Sequence, residues 1–404
     1  MARTPKIRFN GFKEEWKEKP LGELVKEHRV SNQLVHHQNL LSLSYGKIVR
    51  RDIHANKGLL PASFDTYQII DKDTIVFRVT DLQNDKKSLR VAISGEEGII
   101  SPAYVCVDAT SKEIAASFLH QILHYHDVIT KIYYKMGDGL RQTLNYADLK
   151  SLNIVYPKPN EQKAIANLFD SLDASISQRE VELDKLKNIK LALLEKLFTQ
   201  DGQSIPAIRF KGFEGEWEPT ILRQKIKEVN RKNSSSTAPV MMISAGEGFI
   251  YQSDRYSYNN AGKSLQQYTV LNKGELAYNH GASKLHPYGC CYTLISEERA
   301  RIPYVYHCFS TSCDPEFLST LLNGKKVKDQ LRKLISSGAR MDGLLNISFE
   351  AYSSISLNVP KTPEQEKIAK LVNSLNKTIS LREQQLTLLK HSKQALLEQM
   401  FVNE

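Results

Sequence analysis

Basic, amide and aromatic side chains gather in a few runs of this chain, and these are the groups best placed to do chemistry. In the first half the runs are Lys47, Arg50, Arg51, Asn56 and Lys57, then Arg78, Thr80, Asn84, Lys86 and Lys87. In the second half they are Arg255, Tyr256, Tyr258 and Lys263, then Asn279, His280 and Lys284, with Lys325 and Lys326 beyond. Guanidinium and ammonium groups neutralise phosphates; arginine or lysine also pairs with guanine edges, and asparagine or glutamine with adenine. Such a set suits a polyanion, most simply duplex DNA. Any one run taken alone also reads as an ordinary solvated surface.

Candidate catalytic groups are weaker. Gly262-Lys263-Ser264 ends like a nucleotide-binding loop, but Ser257 stands where that loop needs its first glycine. Asp314-Pro315-Glu316-Phe317 only echoes the Asp-Pro-Pro-aromatic tetrad of amino-methyltransferases, without a glycine-rich cofactor loop after a strand. Asp85-Lys86-Lys87 and Glu15-Trp16-Lys17 resemble nuclease triplets that a chain this charged holds by chance. His36-His37 and His120, His124 and His126 lack a metalloprotease or cysteine-flanked pattern. Cys106, Cys290, Cys291, Cys308 and Cys313 are odd in number, and their spacing, even with His307, departs from common structural zinc sites. Buried reduced thiols are expected, with no catalytic group, cofactor or metal belonging to the chain itself.

The elements that must carry these groups follow from the whole chain. It has 404 residues, a net charge of +10, 41% hydrophobic and 25% charged residues, a globular balance and neither a disordered nor a collagenous one. No run reaches the roughly 18 apolar residues of a membrane span. The opening MARTPKIRFNGF has no apolar block or cleavage site for export, so a cytoplasmic location and no membrane partner are expected.

The chain repeats itself. PKIRFNGFKEEW, Pro5 to Trp16, returns as PAIRFKGFEGEW, Pro206 to Trp217, an offset of 201. YQIIDKDTIVFR from Tyr67 returns as YTVLNKGELAYN from Tyr268, and both predict a hairpin, across Asp71-Lys72-Asp73 and Asn272-Lys273-Gly274. EQKAIANLFDSLD from Glu161 returns as EQEKIAKLVNSLN from Glu364, with the register held to Phe198 and Phe401. Prolines at 157, 159, 360 and 363 mark where a globular part ends and a helix starts. The expected domains are 1–158 and 206–360, with helical segments at 159–205 and 361–404. Gly202 is expected to cap the first helix.

Leu172, Ile176, Arg179, Leu183, Leu186, Lys190, Leu193 and Leu197 alternate in steps of four and three, a heptad seam. Leu375, Ile379, Arg382, Leu386, Leu389, Lys393, Leu396 and Met400 repeat it. The two helices predict an antiparallel intramolecular coiled coil, giving an α+β chain with two repeated globular domains and a spacer of about 40 Å. Polar residues recurring in the seam either specify register or snorkel into water. The segments carry net charges of +5, −2, +5 and +2, so the excess base lies on the globular parts. Their interiors diverge, RRDIHANKG against YQSDRYSYNN, as two readers of different sequences would.

The doubled order of these motifs resembles the DNA-specificity subunit of type I restriction-modification systems over the whole chain. The resemblance lies in the R-F-x-G-F-x-x-E-W openings, in Gly139-Leu140-Arg141-Gln142 before the first helix with Gly338-Ala339-Arg340 before the second, and in the helix starts at Pro159 to Gln162 and Pro363 to Gln365. It implies two target-recognition domains, each reading half of a split DNA site, in a subunit that is not itself catalytic. It further implies two methyltransferase subunits that bind S-adenosylmethionine and methylate adenine, and restriction subunits that use ATP and Mg. Arg141 and Arg340, each near a glycine in a loop, are DNA-facing on this reading, with Gln142 beside the first; helix capping or ion pairing is the alternative for the arginines. A spacer of about 40 Å sets the domains some 10 to 12 base pairs apart. Glu180, Glu182, Asp184, Glu383 and Gln384 on the outer helix faces are candidate docking groups for the catalytic partners. A two-headed adaptor for acidic proteins is the alternative from a different class.

Overall fold

The computed structural model describes residues 4–53, 60–80, 82, 89–136, 143–232, 236–256, 262–335 and 345–402, the side chains of 262–264 excepted. It divides into two compact units, Met1–Val181 with Glu383–Glu404, and Glu182–Arg382. Each unit holds one globular part and portions of both long helices, Pro159–Leu197 and Thr362–Met400. The first turns of these helices carry Glu161 and Glu364, acids that favour a helix N-terminus.

Unit 1 is built on a four-stranded antiparallel sheet in the order Val25–Glu27, Tyr104–Ala109, Ile75–Arg78, Val91–Ile93. Ile75 and Phe77 enter a core with Trp16, Phe118 and Tyr133, while Val76 enters a second with Leu41, Leu43, Ile70 and Ile100. Burial on both faces explains the continuous apolar run at 75–77. Beside this sheet lie a second of Val30–Ser31, Gln68–Ile70 and Gly98–Ile100, and the hairpin of Leu41–Ser44 with Lys47–Arg50. That hairpin turns on Tyr45 and Gly46, at φ +47° and +75°, the left-handed pair a two-residue type I′ turn requires.

Unit 2 uses the same plan. Its four-stranded sheet runs Ile226–Glu228, His307–Thr311, Leu276–Asn279, Cys290–Thr293. Thr269–Asn272 pairs with Arg299–Ile302, and Met241–Ser244 with Gly248–Tyr251.

Two sequence expectations are corrected. Gln68–Ile70 and Ile75–Arg78 do not pair with each other as a hairpin, nor do Thr269–Asn272 and Leu276–Asn279; each strand of a pair enters a different sheet. Asp73 at φ +72° and Gly274 at φ +84° turn the chain between the layers, which lets consecutive apolar residues be covered on both faces. Gly202 does not cap the first helix, which ends at Leu197; it lies at φ +74° in a turn closed by Gln203 N–H donating to Gln200 O at 3.0 Å.

The apolar seam residues of both helices are buried or half-buried, Lys190 and Lys393 half-buried, Arg179 and Arg382 exposed. In unit 1 Lys393 Nζ donates to Asp173 Oδ1 at 2.6 Å, Lys390 Nζ to Glu180 Oε1 at 2.7 Å, and Arg179 to Gln385 Oε1 at 3.5 Å. Asp173 meets Lys393, while Arg179 and Glu180, further along the first helix, meet the earlier residues Gln385 and Lys390 of the second, so the pairing is antiparallel, and Lys393 ties its register.

The repeated motifs meet at one place in each unit. Arg8 is bidentate to Glu161 at 2.6 and 2.7 Å, and Arg209 to Glu364 at 2.7 and 2.8 Å, with both carboxylates buried. Gln162 Nε2 donates to Pro157 O and Gln365 Nε2 to Pro360 O, each at 2.8 Å. Trp16 meets Phe401 edge-on at 6.4 Å, and Trp217 meets Phe198 at 6.2 Å. Each unit therefore clamps the start of one long helix and the end of the other.

Candidate nucleic-acid interface

A polar cleft of about 440 Å³ opens in unit 1 between the hairpin and the main sheet. Arg51, which follows the hairpin's second strand, lines it together with Arg78 and Thr80 from the end of Ile75–Arg78. Ser42, Ser44, Tyr45, Ser101 and Tyr104 complete the wall with hydroxyls that the sequence reading did not single out. The Tyr-Gly turn at 45–46 was their one legible signal; the rest converge only through strand pairing, as Tyr104 faces Arg78 across the ladder.

The other expected residues of unit 1 are deployed differently. Arg50 is bidentate to Glu96, which holds its guanidinium above and the carboxyl below their usual ranges. Lys47 donates to Ser177 Oγ at 3.0 Å and lies 3.6 Å from Glu180, both on the first long helix. Asn56, Lys57, Asn84, Lys86, Lys87, Arg141 and Gln142 lie outside the described residues, as do Tyr258 and Arg340 of unit 2. Lys263 sits in the short helix Gly262–Gln267, its side chain undescribed.

In unit 2 Arg255, Tyr256 and Lys284 are exposed. Asn279 is engaged with the fold: its Nδ2 donates to Ile243 O at 3.3 Å and its Oδ1 accepts from Gly281 N at 2.9 Å. His280 is turned inward and buried, with Nδ1 2.8 Å from Leu345 O and Nε2 2.6 Å from Val305 O, so no ring nitrogen is left for a base edge. Position 79 of unit 1, its repeat counterpart, is a buried valine; both side chains point to the interior where the strand ends, an alternation that one-dimensional charge clustering misses.

Beneath the cleft Arg90 is 1% exposed. Its Nη1 donates to Thr80 O at 2.5 Å, its guanidinium lies 5.5 Å from the Tyr134 ring centroid, and its backbone N–H donates to Asp127. Asp127 Oδ2 also accepts from Val91 N at 3.3 Å, and burial pushes its carboxyl up to about 6. In unit 2 the matching strand amide, Cys291 N, is accepted at 3.0 Å by a neutral group, Asn323 Oδ1.

All five cysteines are buried free thiols. Burial pushes Cys290 to about 11 and Cys308 to about 12, so these two stay protonated and unreactive at neutral pH. Cys290 and Cys291, adjacent on a strand, enter different cores. Among the described residues no group of three His, Cys, Asp or Glu side chains could hold a metal, and no helix is long and apolar enough to cross a membrane.

Residues 13–188 match the family of the type I restriction modification DNA specificity domain. The chain is similar in structure to the S subunit of a type I restriction-modification system from M. genitalium, with TM-score 0.61 at 15% identity, over 99% of this chain and 100% of that one. The HsdS subunit from Thermoanaerobacter tengcongensis also matches, with TM-score 0.43 at 16% identity and 99% of each chain covered. The first of these likenesses shows a shared two-part fold.

Proposed function

We propose that the chain, whose residues 13–188 match the type I restriction modification DNA specificity domain, is the recognition and non-catalytic component of such a system and reads a split, asymmetric DNA site. The recognition domains are 1–158 and 206–360, and the helical segments 159–205 and 361–404 hold them as a spacer. One observation carries this reading: the same scaffold occurs twice with different side chains at matched positions, Arg78 against Asn279 and Arg50 against Tyr251. Two readers that differ in this way have unlike half-sites.

In unit 1 the contacts come from Arg51, Arg78 and Thr80 in the cleft, from Lys47 and Arg50 at its edge, and from Asn56, Lys57, Asn84, Lys86, Lys87, Arg141 and Gln142. In unit 2 they come from Arg255, Tyr258, Lys263, Lys284 and Arg340, with Asn279 and the buried His280 shaping the edge from within. The partners are double-stranded DNA, two methyltransferase subunits that bring S-adenosylmethionine for adenine methylation, and restriction subunits that bring ATP and Mg for cleavage. The setting is the cytoplasm.

The test is selection from a randomised duplex pool by the chain assembled with its methyltransferase partner, at two salt concentrations. A retained motif of two unlike halves about one helical turn apart is expected. Retention without a motif would overturn the reading and favour generic basic attraction or a protein adaptor.

A further inference from the structure

We propose that the cleft of unit 1 seats a single phosphodiester of the DNA backbone and does not read a base; this rests on the DNA-reading function above. Shape is the first ground. Base edges lie at the floor of a major groove about 8.5 Å deep, so a side chain that reads them must project from the protein. A phosphate projects from the duplex, and a concavity is what can receive it.

The lining is the second ground. Arg51, just past the hairpin, and Arg78, at the end of a sheet strand, enter from different sides, and Ser42, Ser44 and Thr80 add hydroxyls, while no carboxylate is among the described lining residues. Guanidinium forks and hydroxyl donors match the two non-bridging oxygens and single charge of a phosphodiester. Lys47 and Arg50, the neighbouring cations outside the lining, are held by Glu180 and Glu96.

The third ground is the contrast with unit 2. There the place of Arg78 is taken by Asn279, whose amide is bonded to Ile243 and Gly281. Among the described residues the seat thus belongs to unit 1, and the salt dependence of DNA binding should be carried unequally by the two halves.

The experiment uses the full chain assembled with its methyltransferase partner, on a duplex carrying the selected site. Arg51→Gln and Arg78→Gln should each weaken binding to every sequence alike and leave the selected motif unchanged. The slope of log affinity against log salt should lose about one unit in magnitude. A scan of single neutral methylphosphonates, run with the unaltered chain, does not depend on how the variants fold. One position should weaken its binding by about tenfold and leave Arg51→Gln nearly unaffected. Loss of one base preference at an unchanged slope makes the cleft a base reader and overturns the proposal, as does a scan with no sensitive position; both leave site-specific recognition standing. A wild-type chain that selects no motif overturns the recognition function instead.

Discussion

Where the long helices are clamped, the two units hold the same groups in the same relation: Arg8 on Glu161 and Arg209 on Glu364, Trp16 against Phe401 and Trp217 against Phe198. On the exposed strands the relation survives while the residues change. Arg50 bonds Glu96 in unit 1, and Tyr251 bonds Glu297 at the same positions of the repeat. The difference follows the cost of substitution. Removing one partner of a buried ion pair costs about 3–5 kcal/mol, whereas an exposed pair is worth about 0–1 kcal/mol. A scaffold divided in this way can change what it binds without losing how it folds.

The comparison can be pressed hardest at the clamp. Trp217→Ala should cost unit 2 about 3–5 kcal/mol and leave hydrogen exchange in the strands of unit 1 little changed; Trp16→Ala should do the converse. Equal losses of protection in both units would show that they fold as one, and would remove the basis for comparing them.

A smaller effect separates Asp127 from Asn323, which do the same hydrogen-bonding work with and without a charge. Burial raises the Asp127 pKa from 3.8 to about 6, so the folded state holds this proton more tightly than the unfolded chain. Its contribution to stability is fully present below about pH 3.8 and is lost as pH rises through about 6, on the order of 3 kcal/mol in all. Asp127→Asn should therefore raise the stability of unit 1 at pH 7 and flatten its dependence between those values, measured by exchange in Val91–Ile93 against Cys290–Thr293. A loss of stability at pH 7 would mean that the charged carboxylate is favoured beside Arg90.

The smallest expected effect is at the exposed pair. Exchanging the two units' solutions, Arg50→Tyr and Tyr251→Arg, should change chemical stability by under about 1 kcal/mol in each case while altering the motif retained from a duplex pool. A larger loss in a denaturant titration would place these residues in the scaffold rather than in the variable surface.

Much of this was legible in the residues alone. The repeat, the two long helices and their seam are local patterns, set by periodicity, by proline and by acidic first turns, and they need no knowledge of distant contacts. The expected hairpins were not, because an apolar strand followed by a turn looks the same whether the next strand pairs beside it or crosses to another sheet. Nor did charge clustering distinguish Arg51, which lines the cleft, from Arg50, which is bound to Glu96, or from His280, which is buried.

The sequence by itself determined that there are two units of one design and which residues recur in both. The tertiary structure decided what those residues meet: Arg8 finds Glu161 across 153 positions and Arg209 finds Glu364 across 155. Helical and strand periodicity is fixed within a few residues by backbone geometry, whereas partnership depends on which chain closures bury the most apolar surface while leaving no charge unpaired.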